Sequence, residues 1–141
     1  MVINGCRSYV GALSIPQRKL GKISIEKMVV KPGTELVTAS ARSSLLGGQE
    51  NKPVSFAYET EWHRMQEEDV GTWMTDLPIE QAQHDNMLDG RLYGHVLVGG
   101  LGLGYAATML SHQPQIHEIT VVEQSQDVVD LVWRHLKFHD E

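Results

Sequence analysis

Residues 94–123 read GHVLVGGLGLGYAATMLSHQPQIHEITVVE, and the order of patterns in this stretch decides the fold. A short apolar run at 95–98 is typical of a buried strand, and it leads directly into a glycine-rich turn. Residues 105–112 are rich in Ala, Leu and Met, as a helix is, and Pro114 ends that helix. Residues 118–123 indicate a second strand. The order strand, helix, strand predicts a right-handed crossover between two parallel strands.

A second helix is predicted at 127–138, where Val128, Leu131 and Val132 follow helical spacing. The earlier part of the chain has a different pattern, in which apolar and polar residues alternate as in strands. The clearest segments are 22–30, 54–62 and 71–75, and the second would place Val54, Phe56, Tyr58, Thr60 and Trp62 on one face. We therefore expect an α/β protein in which a small β-rich N-terminal subdomain precedes an incomplete Rossmann-like βαβα unit. The expected divisions are a β-rich subdomain at 1–75, a linker helix at 76–90 beginning near Pro78, and the partial Rossmann-like unit at 91–141.

Composition limits the partners of this chain of 141 residues, which is long enough for one domain. Twelve Lys and Arg against eighteen Asp and Glu give a net charge of −6, which disfavours general attraction to nucleic acid or anionic membrane. A single cysteine, Cys6, allows no internal disulfide and no thiolate cluster for zinc. No apolar run approaches the roughly 20 residues that span a bilayer, and MVINGCRSYV lacks the core of a secretory signal. These features favour a cytoplasmic protein without a membrane partner.

The glycine-rich turn is the strongest candidate for a ligand site. Gly100, Gly102 and Gly104 alternate directly after the first predicted strand, and glycine allows a ligand to approach the backbone closely. Glu123 follows Gly104 by nineteen residues, at the carboxyl end of the next strand. A carboxylate there lies beside the turn and can accept hydrogen bonds from both hydroxyls of a ribose. The pattern predicts an adenosine-type nucleoside site at the carboxyl edge of a parallel sheet.

Three interpretations of this pattern remain open. Residues 102–107 also fit the G-x-G-x-x-A string of dinucleotide-binding proteins, although Gly102 then lies two glycines beyond the strand. The spacing Gly100-x-Gly102-x-Gly104 follows the strand directly and is typical of the motif that cradles S-adenosylmethionine. A purely structural turn, with Glu123 as a solvated residue at a strand end, explains the same residues without any ligand.

The stretch GHVLVGGLGLGYAATMLSHQPQIHEITVVEQSQDVVDLVWRHL resembles the first half of the class I S-adenosylmethionine-dependent methyltransferase superfamily, within which the spermidine-synthase-like branch is closest. That branch has a VLIIGGGxGG-type turn, a helix ending in a His-Pro-like loop, a strand ending in Glu, and a DVV helix. The resemblance covers roughly residues 72–138, and GTWMTDLPIEQAQHDNML is similar to the segment that joins the family's N-terminal β-subdomain to its nucleotide-binding fold.

The resemblance implies S-adenosylmethionine as the small-molecule cofactor, and it implies roles for eight residues. The turn residues would pass along the methionine and ribose portion of the cofactor, Glu123 would hold the ribose hydroxyls, and two residues after it would border the adenine. These turn and adenine-side residues are Gly100, Leu101, Gly102, Leu103, Gly104, Gln124 and Ser125.

Two departures from the family pattern bear on function. Leu103 stands where aminopropyltransferases usually carry an acid, which argues against polyamine chemistry. The sequence ends after the second helix, so the family's third and fourth strands, with the adenine-binding acid and the usual catalytic group, do not follow. We therefore expect a cofactor-binding half truncated before the usual substrate half, with no catalytic residue identified. Because its parallel strands would have free edges, it is expected to form a homo-oligomer or to be a fragment of a longer methyltransferase-like protein.

Two functions follow from these expectations. The first is a methyltransferase-like protein that binds S-adenosylmethionine and transfers a methyl or aminopropyl group to an unknown acceptor. The second is a non-catalytic nucleoside-binding or assembly module. Dehydrogenase-like dinucleotide binding ranks third, because the first glycine of its motif is displaced from the strand.

Other polar residues suggest weaker sites. His135 and His139 lie four apart on a predicted helix, a spacing that can bind a divalent ion, but a cationic His near a helix C-terminus is the simpler explanation, and no metal is expected. A strand carries Tyr58, Glu61, Trp62 and His63, which could line a substrate pocket, although a packed strand face is favoured. Asp76 could face the cofactor crevice or cap the linker helix.

Overall fold

The computed structural model describes residues 2–3, 14–37, 53–77, 80–81, 84 and 90–138. Within them the chain forms nine strands and two helices whose bounds are described, followed by a short 3₁₀ turn at Trp133–His135, and residues 80, 81 and 84 are also helical. The strands are β1 (Val2–Ile3), β2 (Arg18–Leu20), β3 (Ile23–Val30), β4 (Glu35–Val37), β5 (Pro53–Phe56), β6 (Thr60–Glu67), β7 (Gly71–Thr75), β8 (Gly94–Gly99) and β9 (Ile116–Val122). The helices are α1 (Tyr105–Ser111) and α2 (Gln126–Val132).

The strands of the described residues form three sheets, with the orders β1-β5-β4, β2-β3-β6-β7 and β8-β9. The four-stranded sheet is antiparallel, and β3 pairs with β6 along its whole length, from Ile23 opposite Glu67 to Val30 opposite Thr60. β8 and β9 are parallel, and α1 connects them. The predictions of a mixed α/β chain and of a β-rich N-terminal part are therefore confirmed.

The predicted strand at 54–62 is wrong. Residues 57–59 leave the strand conformation, so that β5 pairs with β4 while β6 pairs with β3 in a different sheet. Tyr58 is 63% exposed in this bend, whereas His63 and Met65 of β6 are fully buried. An alternating pattern cannot distinguish one long strand from two short strands with a bend between them, because both keep the period of two.

The second helix ends earlier than predicted. α2 ends at Val132, and after the 3₁₀ turn Leu136 has extended backbone, with φ −76° and ψ 141°. The apolar spacing continues past the helix end because Leu136 still packs against the core and covers Gly104. His135 therefore lies in the 3₁₀ turn, and its proposed partner His139 lies outside the described residues.

The predicted linker helix can be checked at only three positions. Glu80, Gln81 and His84 have helical backbone, in agreement with the prediction, and the rest of the segment from Pro78 to Asp89 lies outside the described residues. No helix in the described part of the chain is both long enough and apolar enough to cross a membrane.

One core cluster joins the antiparallel sheet to the glycine turn and α2. The sheet side contributes Ile23, Ile25 and Met65, and α2 packs across β2 and β3. The remaining buried members are Ile15, Leu101, Leu103, Tyr105, Val128, Leu131 and Val132. Burying an apolar side chain of this size contributes about 1.5–3 kcal/mol to the free energy of folding. Apolar packing of Leu101 and Leu103 against this cluster therefore holds the turn in place.

A buried pair, His63 and Asp76, links β6 to the segment after β7. Oδ1 of Asp76 accepts a hydrogen bond from the His63 backbone N–H, and Oδ2 lies 2.8 Å from His63 Nδ1. The backbone of Asp76 donates to His63 O at 3.2 Å, and Gln81 Nε2 donates to Asp76 O at 2.8 Å. Both carboxylate oxygens of Asp76 therefore bind His63.

Asp76→Ala should lower the free energy of unfolding by about 3 kcal/mol, because it leaves buried donors on His63 without an acceptor. Urea unfolding provides the measurement. Asp130→Ala is the matched control: Asp130 is exposed, and its Oδ1 accepts from Gln126 Nε2 at 2.8 Å, so the loss should stay below about 0.5 kcal/mol. Equal, small losses for the two variants would contradict this role for Asp76.

Candidate functional site

The glycine turn follows β8 without an intervening residue and folds back on the end of β9. Gly100 donates its N–H to Val122 O at 2.7 Å, and Gly104 donates to Leu101 O at 2.9 Å. Gly100 has φ +86°, and the space that a Cβ would fill is empty, so its backbone lies open. At Gly102 a Cβ would collide with Met74, whose Sδ accepts the Leu103 N–H at 3.2 Å. The turn is thus open at Gly100 and packed at Gly102.

Glu123 is hydrogen-bonded to the turn. Its Oε2 accepts the backbone N–H of Leu101 at 2.9 Å, and its Oε1 accepts the backbone N–H of Ser125 at 2.9 Å. An ionised carboxylate offers about four acceptor positions, so each oxygen keeps a lone pair for another donor. The two internal bonds orient the half-buried carboxylate beside the turn and leave it able to bind a pair of hydroxyls.

A cavity of about 720 Å³ lies at the carboxyl ends of β8 and β9. Five of the eight residues predicted from sequence line it: Gly100, Leu101, Gly102, Glu123 and Gln124. The other three do not. The Leu103 side chain is fully buried in the core, Gly104 is the N-cap residue of α1, and Ser125 caps α2 by accepting the Val128 N–H at 3.4 Å.

The cavity is also lined by residues that the sequence did not predict for the site, among them Trp73, Met74, His84 and Tyr105. Trp73 and Met74 belong to β7, and His84 lies in the helical segment that follows it. For Trp73, Met74 and His84, the signal is the expected resemblance of 71–88 to a joining segment, which remains a prediction. Spacing alone does not find them, because nothing periodic relates β7 to a turn more than twenty residues later.

The charges around the cavity differ from those of a phosphate site. Among the described residues that line it there is no Lys or Arg, and Glu123 is the acid. Burial raises the pKa of the nearby Glu80 carboxyl above its usual value. A hydrogen bond from the Thr75 N–H, at 3.1 Å, favours the ionised form but has the smaller effect. The cavity therefore favours neutral or cationic ligands over anionic ones.

Other candidate residues lie elsewhere. His63 is fully buried against Asp76, and Trp62 packs against the cluster of Val30, Phe56 and Leu77, as expected for a packed strand face. In the described residues no group of three or more His, Cys, Asp or Glu side chains is placed to hold a metal. A second cavity, of about 970 Å³, lies between β9 and residues 133–138 and contains none of the predicted site residues.

No family model, curated protein or solved structure matches this chain.

Substitutions at Glu123 test its structural contribution. Glu123→Ala should lower the free energy of unfolding by about 2–3 kcal/mol, because two amides lose a charged acceptor, and Glu123→Gln by about 1–2 kcal/mol, because one carbonyl oxygen remains. The Leu101 and Ser125 amides should exchange hydrogen faster in both variants. The control is Glu118→Ala at an exposed site of β9, where we expect less than about 0.5 kcal/mol. A Glu123→Ala variant as stable as this control would contradict the interaction.

Proposed function

We propose that this chain binds S-adenosylmethionine in the cavity beside the glycine turn, as the cofactor-binding unit of a methyltransferase-like protein with an incomplete Rossmann-like βαβα arrangement. The observation that carries the proposal is the convergence of Gly100 and Glu123 on one cavity, with the Glu123 carboxylate already oriented by Leu101 and Ser125. Its remaining lone pairs suit the two ribose hydroxyls, and the open backbone at Gly100 allows the nucleoside to approach closely.

The charge of the cavity favours a sulfonium cofactor over a dinucleotide. S-adenosylmethionine carries a positive sulfonium and no phosphate, whereas a nicotinamide or flavin dinucleotide carries a pyrophosphate. A cavity with Glu123 and without Lys or Arg among its described lining residues attracts the first and repels the second.

Leu103 favours methyl transfer over aminopropyl transfer. Its side chain is fully buried in the core, so the position that carries an acid in aminopropyltransferases contributes no polar group to the ligand here. The cofactor supplies an activated methyl group, so the protein has mainly to position the acceptor in line with it.

A second candidate function is a non-catalytic nucleoside-binding or assembly module. The supporting observation is the uncovered face of the β8–β9 pair, where Leu97 is 69% exposed and Val122 is 59% exposed. Parallel strands are normally covered on both faces, so a second copy of the chain is a candidate to cover this one.

Thermal shift and calorimetric titration should separate these possibilities. S-adenosylmethionine, S-adenosylhomocysteine and methylthioadenosine should each stabilise the chain, by about 2.7 kcal/mol at 100 times the dissociation constant. Glu123→Gln should weaken binding about tenfold or more through lost charge-assisted hydrogen bonds, and Glu118→Gln should leave it unchanged.

Stabilisation by NAD alone, or by none of these ligands, would contradict the proposal. Cofactor binding without consumption of the methyl group by polyamine, protein or nucleic-acid acceptors, together with a dimer in sedimentation, would favour the second candidate.

A further inference from the structure

Three ring side chains, Trp73, His84 and Tyr105, line the same cavity as Glu123, and we name them the aromatic lining. His84 Nδ1 lies 2.8 Å from the backbone oxygen of Glu80. A carbonyl oxygen only accepts hydrogen bonds, so Nδ1 must carry the proton and donate it. In the neutral imidazole this leaves Nε2 with its lone pair, as a hydrogen-bond acceptor.

The His84 ring is held in place on two sides. The bond to Glu80 O fixes one edge, and Tyr105 meets the ring in an edge-to-face contact, with centroids 5.8 Å apart and planes at 61°. Among the described residues, Nε2 has no hydrogen-bonding partner. The aromatic lining therefore includes an imidazole ring whose orientation is fixed and whose Nε2 is an acceptor, among lining residues that are mostly apolar.

We propose that the aromatic lining binds the methyl acceptor, and that this acceptor is an amine or hydroxyl compound on a planar or apolar body. Its N–H or O–H would donate to His84 Nε2, while its body would lie against Trp73, which is 44% exposed and offers a flat apolar surface. A carboxylate or a phosphate ester is disfavoured as the acceptor, because it would face the lone pair of Nε2 and the described cavity wall has no Lys or Arg to neutralise it. That the bound compound accepts a methyl group rests on the proposed function, whereas the preference of the site for a hydrogen-bond donor does not.

Matched small aromatic probes test the donor preference on the full chain. Phenol and indole carry a donor; anisole and 1-methylindole are their methylated counterparts without one. At pH 8, phenol and indole should bind about fivefold more tightly than their counterparts. Only the donors should shift the nitrogen NMR resonance of His84 Nε2.

Two variants provide the controls. His84→Phe keeps a ring but removes the acceptor, and it should make each probe pair bind equally. His95→Phe changes an exposed histidine of β8 that lies outside the cavity wall, and it should leave the preference intact. The wild-type comparison decides the question by itself if a variant does not fold.

Equal binding of both members of each pair, no binding of any probe, or a preference that survives His84→Phe would overturn the proposal. A parallel titration with S-adenosylhomocysteine separates the two proposals. Cofactor binding without a donor preference would overturn this inference alone, and a donor preference without cofactor binding would overturn the proposed function and leave a donor-binding site.

Discussion

The hydrogen bonds from two backbone amides to the Glu123 carboxylate are the constraint on which the site depends. They tie the turn after β8 to the residue that follows β9, at 2.9 Å from Leu101 N and 2.9 Å from Ser125 N. Charged acceptors form the stronger class of hydrogen bond, and these two bonds add to the backbone bond from Gly100 N–H to Val122 O, which already joins the ends of the parallel strands. The cavity exists because those ends are held together at the backbone, with Gly100 left open.

The turn is also fixed from outside the parallel unit. Met74 of β7 packs against Gly102, and Leu136, beyond α2, packs against Gly104. The same core cluster contains residues of β3 and β6, so the antiparallel sheet supports the site from beneath. A Cβ at Gly102 or Gly104 would press on the ends of these side chains, and both residues have a positive φ that favours glycine, whereas nothing lies within 4 Å of the Cβ position of Gly100.

The sequence predicted the parallel strands and their helix well, because each of these elements has a strong local signal. The apolar run before the glycines, Pro114 after α1 and the apolar residues before Glu123 place β8, α1 and β9 to within two residues. Proximity of Glu123 to the turn followed from topology, since the carboxyl ends of adjacent parallel strands share one edge. Five of eight site residues line the cavity for the same reason.

Other features depend on tertiary contacts that leave no local pattern. The bend at 57–59 preserves alternation, and Leu136 continues helical spacing after the helix has ended. His63 and Asp76 meet because β6 and β7 are antiparallel neighbours. His84 also lines the cavity, and the periodicity of the sequence does not predict this.

The most direct test of this account is a crystal structure of the chain with S-adenosylhomocysteine. We expect both ribose hydroxyls within about 3 Å of the Glu123 carboxylate oxygens, while Leu101 and Ser125 still donate to them. A nucleoside bound away from Gly100, or a Glu123 side chain turned out of the cavity, would contradict the account.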